Sequence, residues 1–171
     1  MPRTTAPSIP AYRAIIAFGS NLGDRKKQID EGLNMLAEFG VHLDKISPFY
    51  ETDPIGAADQ TFVNGAALVS TNLSPLDLLQ ALLVVERRCH RVRTIHWGNR
   101  TLDLDIILMQ DAAGSPIVYQ SDGLTIPHPR SLERDFVLVP AAAVAPEWVH
   151  PQTGHTLLDE VISRKYKLNR N

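Results

Sequence analysis

Apolar and polar positions recur along this chain with the spacings of strands and helices. Ala14–Phe18 is a short apolar run that stops at a glycine-containing turn, which predicts a buried strand. Phe62–Ser70 and Leu102–Met109 alternate between apolar and polar positions and predict two further strands. Val41–Thr52 is mixed but extended in character, and Pro48 within it favours an edge strand.

Two helices are predicted between these strands. The first is capped by Asp24 and ends near Gly40, and the second begins at Ser74-Pro75 with Asp77 in its first turn. Each carries its apolar residues on one face, which indicates packing against a sheet. The apolar face of the first helix consists of Ile29, Leu33 and Leu36. That of the second consists of Leu78, Leu82, Val85 and Cys89, widened by Leu76, Leu79 and Leu83.

The resulting order is strand, helix, strand, strand, helix, strand. This order predicts an α+β fold of the ferredoxin-like, split βαβ kind, in which helices pack on an antiparallel sheet. An apolar stretch at Phe136–Ala145 and a helix around Leu157–Arg164 form a short C-terminal extension. We expect residues 1–12 to be a flexible tail and residues 13–171 to form a single domain.

Composition narrows the class of protein. With 171 residues, 44% of them hydrophobic and 21% charged, the chain has the composition of a globular domain and not of a disordered or fibrous protein. A net charge of −2 argues against nonspecific nucleic-acid binding. The single cysteine, Cys89, excludes a disulfide framework, and the apolar stretches are too short to span a bilayer. We therefore expect a cytoplasmic protein that binds neither nucleic acid nor membranes.

The candidate chemistry begins at Asp103-Leu104-Asp105. Residues two apart in a strand project from the same face, so both carboxylates point together while Leu102, Ile106 and Leu108 join Leu104 facing the core. Paired carboxylates repel each other unless a cation neutralises them, and hard oxygen ligands suit Mg²⁺. Taken alone, such a pair is more often a solvated strand face.

The residues that precede this pair favour a site. Five arginines and no acidic residue lie between Glu86 and Asp103, out of 17 lysines and arginines in the chain. Guanidinium groups match phosphate oxygens in bidentate geometry, and a basic cluster beside a Mg²⁺ site suits a polyphosphate substrate. The chain has no P-loop or Rossmann glycine motif, so arginines and metal would have to hold the phosphates.

Other residues could contact a ligand but also have ordinary structural explanations. Phe62 and Asn64 share one strand face and could hold a flat heterocycle, although a core Phe beside a strand-end Asn is the commoner arrangement. Trp97 could stack on a ligand or anchor its loop. Glu86 could meet an arginine or a ligand hydroxyl, or extend into solvent, and His128 could donate to a phosphate or be an ordinary loop histidine.

Together these residues resemble a known family, the 6-hydroxymethyl-7,8-dihydropterin pyrophosphokinases of folate biosynthesis. The resemblance runs in order from about Ala14 to the final helix, and its most specific part is the Arg-Thr-Leu-Asp-Leu-Asp run. The matching segments are Gly19-Ser20-Asn21-Leu22-Gly23-Asp24, Phe62-Val63-Asn64, Arg91-Val92-Arg93, Arg100-Thr101-Leu102-Asp103-Leu104-Asp105-Ile106, Leu124-Thr125-Ile126-Pro127-His128-Pro129, Arg134 and Phe136.

The resemblance implies an activity and a set of roles. A member transfers the β,γ-pyrophosphoryl group of ATP to the hydroxymethyl group of the pterin and releases AMP. By the same resemblance, Asp103 and Asp105 would hold two Mg²⁺ ions, and Arg91 and Arg100 would grip the transferring phosphates. The pterin site would comprise Thr52, Pro54, Ile55, Phe62, Asn64, Trp97 and Phe136. The ATP site would comprise Glu86, Arg91, Arg93, Trp97, Arg100, Ile106, Thr125, His128 and Arg134.

Two other functions use the same features. A split βαβ sheet can present aromatics and arginines to single-stranded RNA, but Asp103 and Asp105 would repel its phosphates without a metal. A metal-dependent phosphohydrolase could use the same Asp pair and would release orthophosphate instead of AMP. A single domain of this kind is most simply a monomer, with ATP and the pterin as its small-molecule partners.

Overall fold

The apolar segments predicted as strands form the centre of one antiparallel sheet. The fold is taken from a computed structural model, which describes residues 9–53, 61–89 and 102–170. The strand β1 (Tyr12–Ser20) pairs with Phe62–Thr71 on one side and with Asp103–Asp111 on the other. The remaining strands are β2 Val41–Ile46, β3 Tyr50–Thr52, β4 Phe62–Thr71, β5 Asp103–Asp111, β6 Tyr119–Ser121, β7 Leu124–Ile126 and β8 Asn169–Arg170. The main sheet has the order β5-β1-β4-β3-β8, with β2 also pairing β4, and β6 and β7 form a separate ribbon.

Both predicted helices are present. The helix α1 (Arg25–Met35) begins after Asp24, whose carboxylate accepts a hydrogen bond from the Lys27 amide at 3.2 Å, and a short 3₁₀ turn ends it at Gly40. The helix α2 (Pro75–Cys89) begins after Ser74, whose hydroxyl accepts from the Asp77 amide at 3.2 Å. The capping residues predicted from the sequence are therefore confirmed.

These two helices cover one face of the sheet. Their buried residues pack with alternate residues of β1, β4 and β5 into a first core cluster. Leu78, Leu82, Val85 and Cys89 lie in this cluster, as predicted. The prediction that Leu76 and Leu83 widen the buried stripe is wrong, because both lie on the outer side of α2, with 42% and 38% of their surface exposed.

The C-terminal extension covers the other face of the sheet. Its helices α3 (Asp135–Val144) and α4 (Leu157–Arg164) pack with Ile15, Ala66 and Leu68 into a second core cluster. β4 is consequently buried on both faces over most of its length. Small residues such as Ala66 occupy that second face, which lets α3 lie close to the sheet.

A bulge in β5 changes which residues face which helices. Ile16 pairs with Ile106, but Ile15 pairs with Leu108, so Ile107 is the extra residue. Leu102, Leu104 and Ile106 face α1 and α2 as predicted. Leu108 does not share their face, because the bulge turns it towards α3 together with Ile107. Among the described helices, none is both long and apolar enough to cross a membrane.

The close contact between β1 and β4 yields a first prediction. A Cβ atom at Gly65 would lie 2.4 Å from the Phe18 ring and 2.9 Å from the Ser47 hydroxyl, so Gly65→Ala should lower the free energy of unfolding by about 1–3 kcal/mol. Phe18→Leu should partly relieve this clash in the double variant. Urea unfolding of the two single variants and the double variant would measure the coupling, and strictly additive effects would contradict the clash.

The buried side chain of His150 yields a second prediction, which concerns the dependence of stability on pH. His150 is fully buried, and burial lowers its pKa from the ordinary value of 6.5, against the opposing charge of Glu160 and with a smaller contribution from Arg164. The unfolded chain therefore binds protons that the folded chain rejects, so the free energy of unfolding should fall as the pH drops from about 7 to 5. His128, whose pKa is also lowered by burial, acts in the same direction.

Chemical denaturation at several pH values would test this pH dependence. His150→Gln should reduce the slope of stability against pH, because it removes the buried imidazole whose pKa burial lowers. The hydrogen bond from Arg164 lowers the pKa of the Glu160 carboxyl. The stability that this carboxylate contributes is therefore lost only in more acidic solution. A slope unaffected by His150→Gln would contradict the assignment.

Candidate active site

A cavity of about 410 Å³ lies on the sheet face that α3 covers only in part. Its floor is the end of β1 between β4 and β5, and its wall is the start of α3. Residues from five separate parts of the chain therefore meet there. The lining residues are Ala17, Phe18, Gly19, Thr52, Phe62, Asn64, Asp103, Asp105, Arg134, Phe136 and Val137.

Strand register places the polar residues of the cavity side by side. Gly19 of β1 pairs with Asn64 on one side and with Asp103 on the other. Two residues earlier in β1, and on the same face of the sheet, Ala17 pairs with Asp105. The two carboxylates thus project from the same face of β5, as predicted, across β1 from the Asn64 carboxamide.

Gly19 leaves room for this arrangement. A Cβ atom there would lie 2.7 Å from Oδ1 of Asn64, closer than side chains approach each other. The absence of a side chain opens the floor between Asn64 and the carboxylates. The sequence predicted a turn at Gly19 and did not indicate this role, because the role depends on the antiparallel pairing of β1 with β4 and β5.

Asn64 and Thr52 form a polar edge beside an aromatic ring. Nδ2 of Asn64 donates a hydrogen bond to the Thr52 hydroxyl at 2.6 Å, and Thr52 pairs with Phe62 in the ladder. Asn64 is only 8% exposed, so its amide is held in one orientation within the cavity wall. Thr52, Phe62 and Asn64 are therefore brought together, as the resemblance predicted.

The opposite wall comes from the C-terminal extension. Arg134 immediately precedes α3 and Phe136 lies in its first turn, with the Arg134 guanidinium 5.6 Å from the centre of the Phe136 ring. Both line the same cavity as Phe62 and the two aspartates. Packing in the second core cluster fixes the position of α3, and therefore the position of Phe136.

His128 lies close to this wall. Its Nδ1 accepts a hydrogen bond from the Arg130 amide at 3.2 Å, and its own amide donates to the carbonyl of Ile107 at 2.9 Å. Burial lowers the pKa of His128, the positive charges of Arg134 and Arg130 lower it further, and Asp103 opposes them. The neutral ring therefore carries its proton on Nε2, where it can serve as a hydrogen-bond donor.

Three other predicted residues lie outside the cavity lining. Glu86 accepts a hydrogen bond from the Leu104 amide at 2.7 Å and so orients the beginning of β5. Ile106 is buried in the first core cluster on the opposite sheet face, and Thr125 lies in the β6–β7 ribbon. Their contacts with ATP stay predictions. Pro54, Ile55, Arg91, Arg93, Trp97 and Arg100 lie outside the described residues.

The carboxylate pair is chemically suited to a divalent cation. Asp103 and Asp105 present hard oxygen ligands at a partly exposed position beside Arg134. Within the described ranges, no group of three or more His, Cys, Asp or Glu side chains is placed to hold a metal ion. Mg²⁺ commonly takes one or two protein carboxylates and completes its shell with water and substrate phosphates, so the donor set fits that ion.

Comparison with known proteins agrees with this geometry. Residues 15–146 match the family profile described as 7,8-dihydro-6-hydroxymethylpterin-pyrophosphokinase (HPPK). The chain is 42% identical over 145 residues to the 2-amino-4-hydroxy-6-hydroxymethyldihydropteridine pyrophosphokinase of Pseudomonas aeruginosa, covering 84% of this chain and 86% of that protein. The corresponding enzyme of Synechocystis is 36% identical, over 86% of this chain and 73% of that protein.

Longer relatives contain a similar region. The chain is 42% identical over 153 residues to the folic acid synthesis protein fol1 of Schizosaccharomyces pombe, covering 88% of this chain but only 20% of that protein. A Plasmodium falciparum HPPK-DHPS crystal structure superposes with a TM-score of 0.66 at 14% identity, over 93% of this chain and 46% of that chain. At that identity the likeness supports the fold alone.

The family profile spans most of the chain, and two relatives of similar length carry the enzyme's name at 36% and 42% identity. The matched range contains the pair of aspartates and the aromatic residues of the cavity. This chain therefore belongs to the 7,8-dihydro-6-hydroxymethylpterin-pyrophosphokinase family, the pyrophosphokinases of folate biosynthesis.

Proposed function

We propose that the cavity holds the pterin and the reacting phosphates side by side, and that the chain transfers pyrophosphate from ATP to the pterin hydroxymethyl group, releasing AMP. The observation that carries this proposal is that Phe62 and Phe136, a fixed amide, two carboxylates and an arginine line one cavity together. The two phenylalanines and the amide suit a flat heterocycle, whereas the two carboxylates and the arginine suit a polyphosphate with its metal ion.

The aromatic and polar edges account for pterin binding. Phe62 and Phe136 would enclose the ring, and Asn64 would hydrogen-bond its edge. Because Thr52 accepts from Nδ2 of Asn64, the carboxamide orientation is set before the substrate arrives. A preorganised amide loses less entropy when it binds, and it rejects rings whose edge lacks matching donors and acceptors.

The opposite end of the cavity accounts for phosphate binding. Asp103 and Asp105 would hold Mg²⁺, two ions by the family resemblance, and the bound metal would neutralise the charge of the triphosphate. Arg134 would contact the phosphates directly, and Nε2 of His128 would donate to a phosphate oxygen. By the family resemblance, Arg91, Arg93 and Arg100 are also proposed to bind the phosphates. The hydroxymethyl oxygen would attack the β-phosphorus with AMP leaving in line, so the contribution of the protein is positioning and charge neutralisation.

The strand order supports the finer fold assignment. β5, β1, β4 and the β2–β3 segment lie side by side with α1 and α2 on one face, the arrangement expected of a ferredoxin-like sheet. We propose a single domain with that fold for residues 13–171, preceded by the tail expected over residues 1–12, of which Tyr12 already pairs as the first residue of β1. We also propose a monomeric enzyme of the cytoplasm whose partners are its two small-molecule substrates.

The carboxylate pair gives a third prediction. Asp103→Asn and Asp105→Asn should each reduce pterin-dependent AMP formation by about 10²- to 10³-fold, because each removes charge that the metal needs. Pterin binding, followed by calorimetry, should change little. Asp30→Asn is the matched control, since Asp30 is exposed on α1.

Product analysis separates the competing functions. Release of orthophosphate from ATP without a pterin requirement would indicate a phosphohydrolase. Metal-independent binding of single-stranded RNA with no AMP formed would indicate a binding module. AMP formation by the Asp103→Asn variant at the wild-type rate would contradict the proposed metal site.

The Asn64 carboxamide gives a fourth prediction. Asn64→Ala should raise the KM for the pterin about tenfold and leave the KM for ATP nearly unchanged, because it removes hydrogen bonds only from the pterin end of the cavity. Asn72→Ala removes the same group beyond the far end of β4, where Oδ1 of Asn72 accepts from the Ala11 amide, and should change neither KM. Equal increases in both KM values would place Asn64 outside the pterin site.

A further inference from the structure

The loop between β7 and α3 carries two residues of the proposed phosphate site, His128 and Arg134. The structure secures the loop at both ends. The His128 amide donates to the Ile107 carbonyl of β5 at 2.9 Å, and the Arg134 carbonyl accepts from the Leu138 amide in α3 at 2.9 Å. Between these ends, residues 129–133 belong to neither a helix nor a strand. Two turn hydrogen bonds, from the Ser131 amide to the His128 carbonyl at 3.0 Å and from the Glu133 amide to the Arg130 carbonyl at 3.2 Å, shape the loop but do not tie its middle to the rest of the fold.

A buried hydrogen bond holds the middle of the loop from below. The Ser131 hydroxyl lies 2.9 Å from Nε2 of His150, and the two residues are 1% and 0% exposed. Nδ1 of His150 accepts from the Gln152 amide at 3.2 Å, so the proton is on Nε2 and His150 donates to Ser131. Neither side chain lines the cavity, so this buried pair takes no direct part in the proposed pyrophosphoryl transfer.

A second hydrogen bond holds the next residue of the loop. The Tyr166 hydroxyl donates to the Leu132 carbonyl at 2.9 Å. Tyr166 reaches this carbonyl because Lys165, at the end of α4, adopts a left-handed conformation with φ 57°, which reverses the chain direction. A residue other than glycine at positive φ is uncommon, so the surrounding contacts hold the turn in place.

A buried charge network in turn fixes the end of α4. Glu160 is 4% exposed and accepts from Nε of Arg164 at 3.0 Å and from His155 at 3.1 Å. The Tyr166 amide donates to the Val161 carbonyl of α4 at 3.2 Å. The position of Tyr166 is thereby tied to α4, which itself packs in the second core cluster.

From these contacts we infer that His150 and Tyr166 are positioning residues for ATP: through Ser131 and the Leu132 carbonyl they hold the loop that presents His128 and Arg134 to the phosphates. This inference rests on the proposed function, since it assigns those two side chains to the phosphate site. Neither His150 nor Tyr166 touches substrate. Their effect is to keep the loop in the binding-competent arrangement, which a free loop would occupy only part of the time.

Single-atom changes test the inference. Ser131→Ala and Tyr166→Phe each remove one hydroxyl, and each should raise the KM for ATP about three- to tenfold while leaving the KM for the pterin within about twofold, since one hydrogen bond contributes on that scale. Ser70→Ala and Tyr12→Phe remove the same groups at the end of the sheet remote from the cavity and should leave both KM values unchanged. His150→Gln, which keeps a donor near the position of Nε2, should retain tighter ATP binding than His150→Leu.

Hydrogen exchange gives a readout that does not depend on activity. In the Ser131→Ala and Tyr166→Phe variants, amides of residues 130–134 should exchange faster than in the wild type, and those of β1 and β4 should not. Unchanged exchange in the loop would overturn the inference whether or not the chain makes AMP. Faster loop exchange with an unaltered KM for ATP in an active enzyme would also overturn it, whereas a wild-type chain that makes no AMP would count against the proposed function instead.

Discussion

The pairing of β1 with β4 and β5 at Gly19 is the constraint on which the site depends. Gly19 sits between Asn64 and Asp103 in the ladder, and the missing side chain opens the floor of the cavity there. The Asn64 amide and the two carboxylates are thereby separated by a single strand. A change in register by one residue would turn the aspartates to the opposite face, where α1 and α2 pack, and no compensating change elsewhere could restore the site.

Helices pack on both faces of the sheet, and their extent determines where the cavity lies. α1 and α2 cover one face completely, while α3 covers the other only as far as Phe136 and leaves the end of β1 open. The cavity is thus the uncovered remainder of a packed face, and its position follows from where α3 begins. The C-terminal extension is more than an addition to a complete fold, because it supplies a wall of the site and the supports behind it.

Charge is distributed to match the two substrates. Asp103 and Asp105 stand at one end of the cavity with Arg134 nearby, and the neutral His128 adds a donor without adding charge. The other end is neutral, with the Asn64 amide and the Phe62 ring. In the proposed arrangement, the anionic polyphosphate would lie at the charged end and the heterocycle at the neutral end, which would bring their reacting atoms close to the boundary between the two.

The sequence by itself determined what depends on local spacing. Residues a few positions apart set the helix caps at Asp24 and Ser74, the strands, and the shared face of Asp103 and Asp105, because the backbone geometry fixes their relation. Each motif of the family resemblance is likewise a short local segment. Tertiary structure decided everything that depends on pairing between distant segments. The bulge at Ile107, the placement of α3 on the second face and the buried contact between Ser131 and His150 have no local signature, because each results from the packing of segments that only the fold brings together.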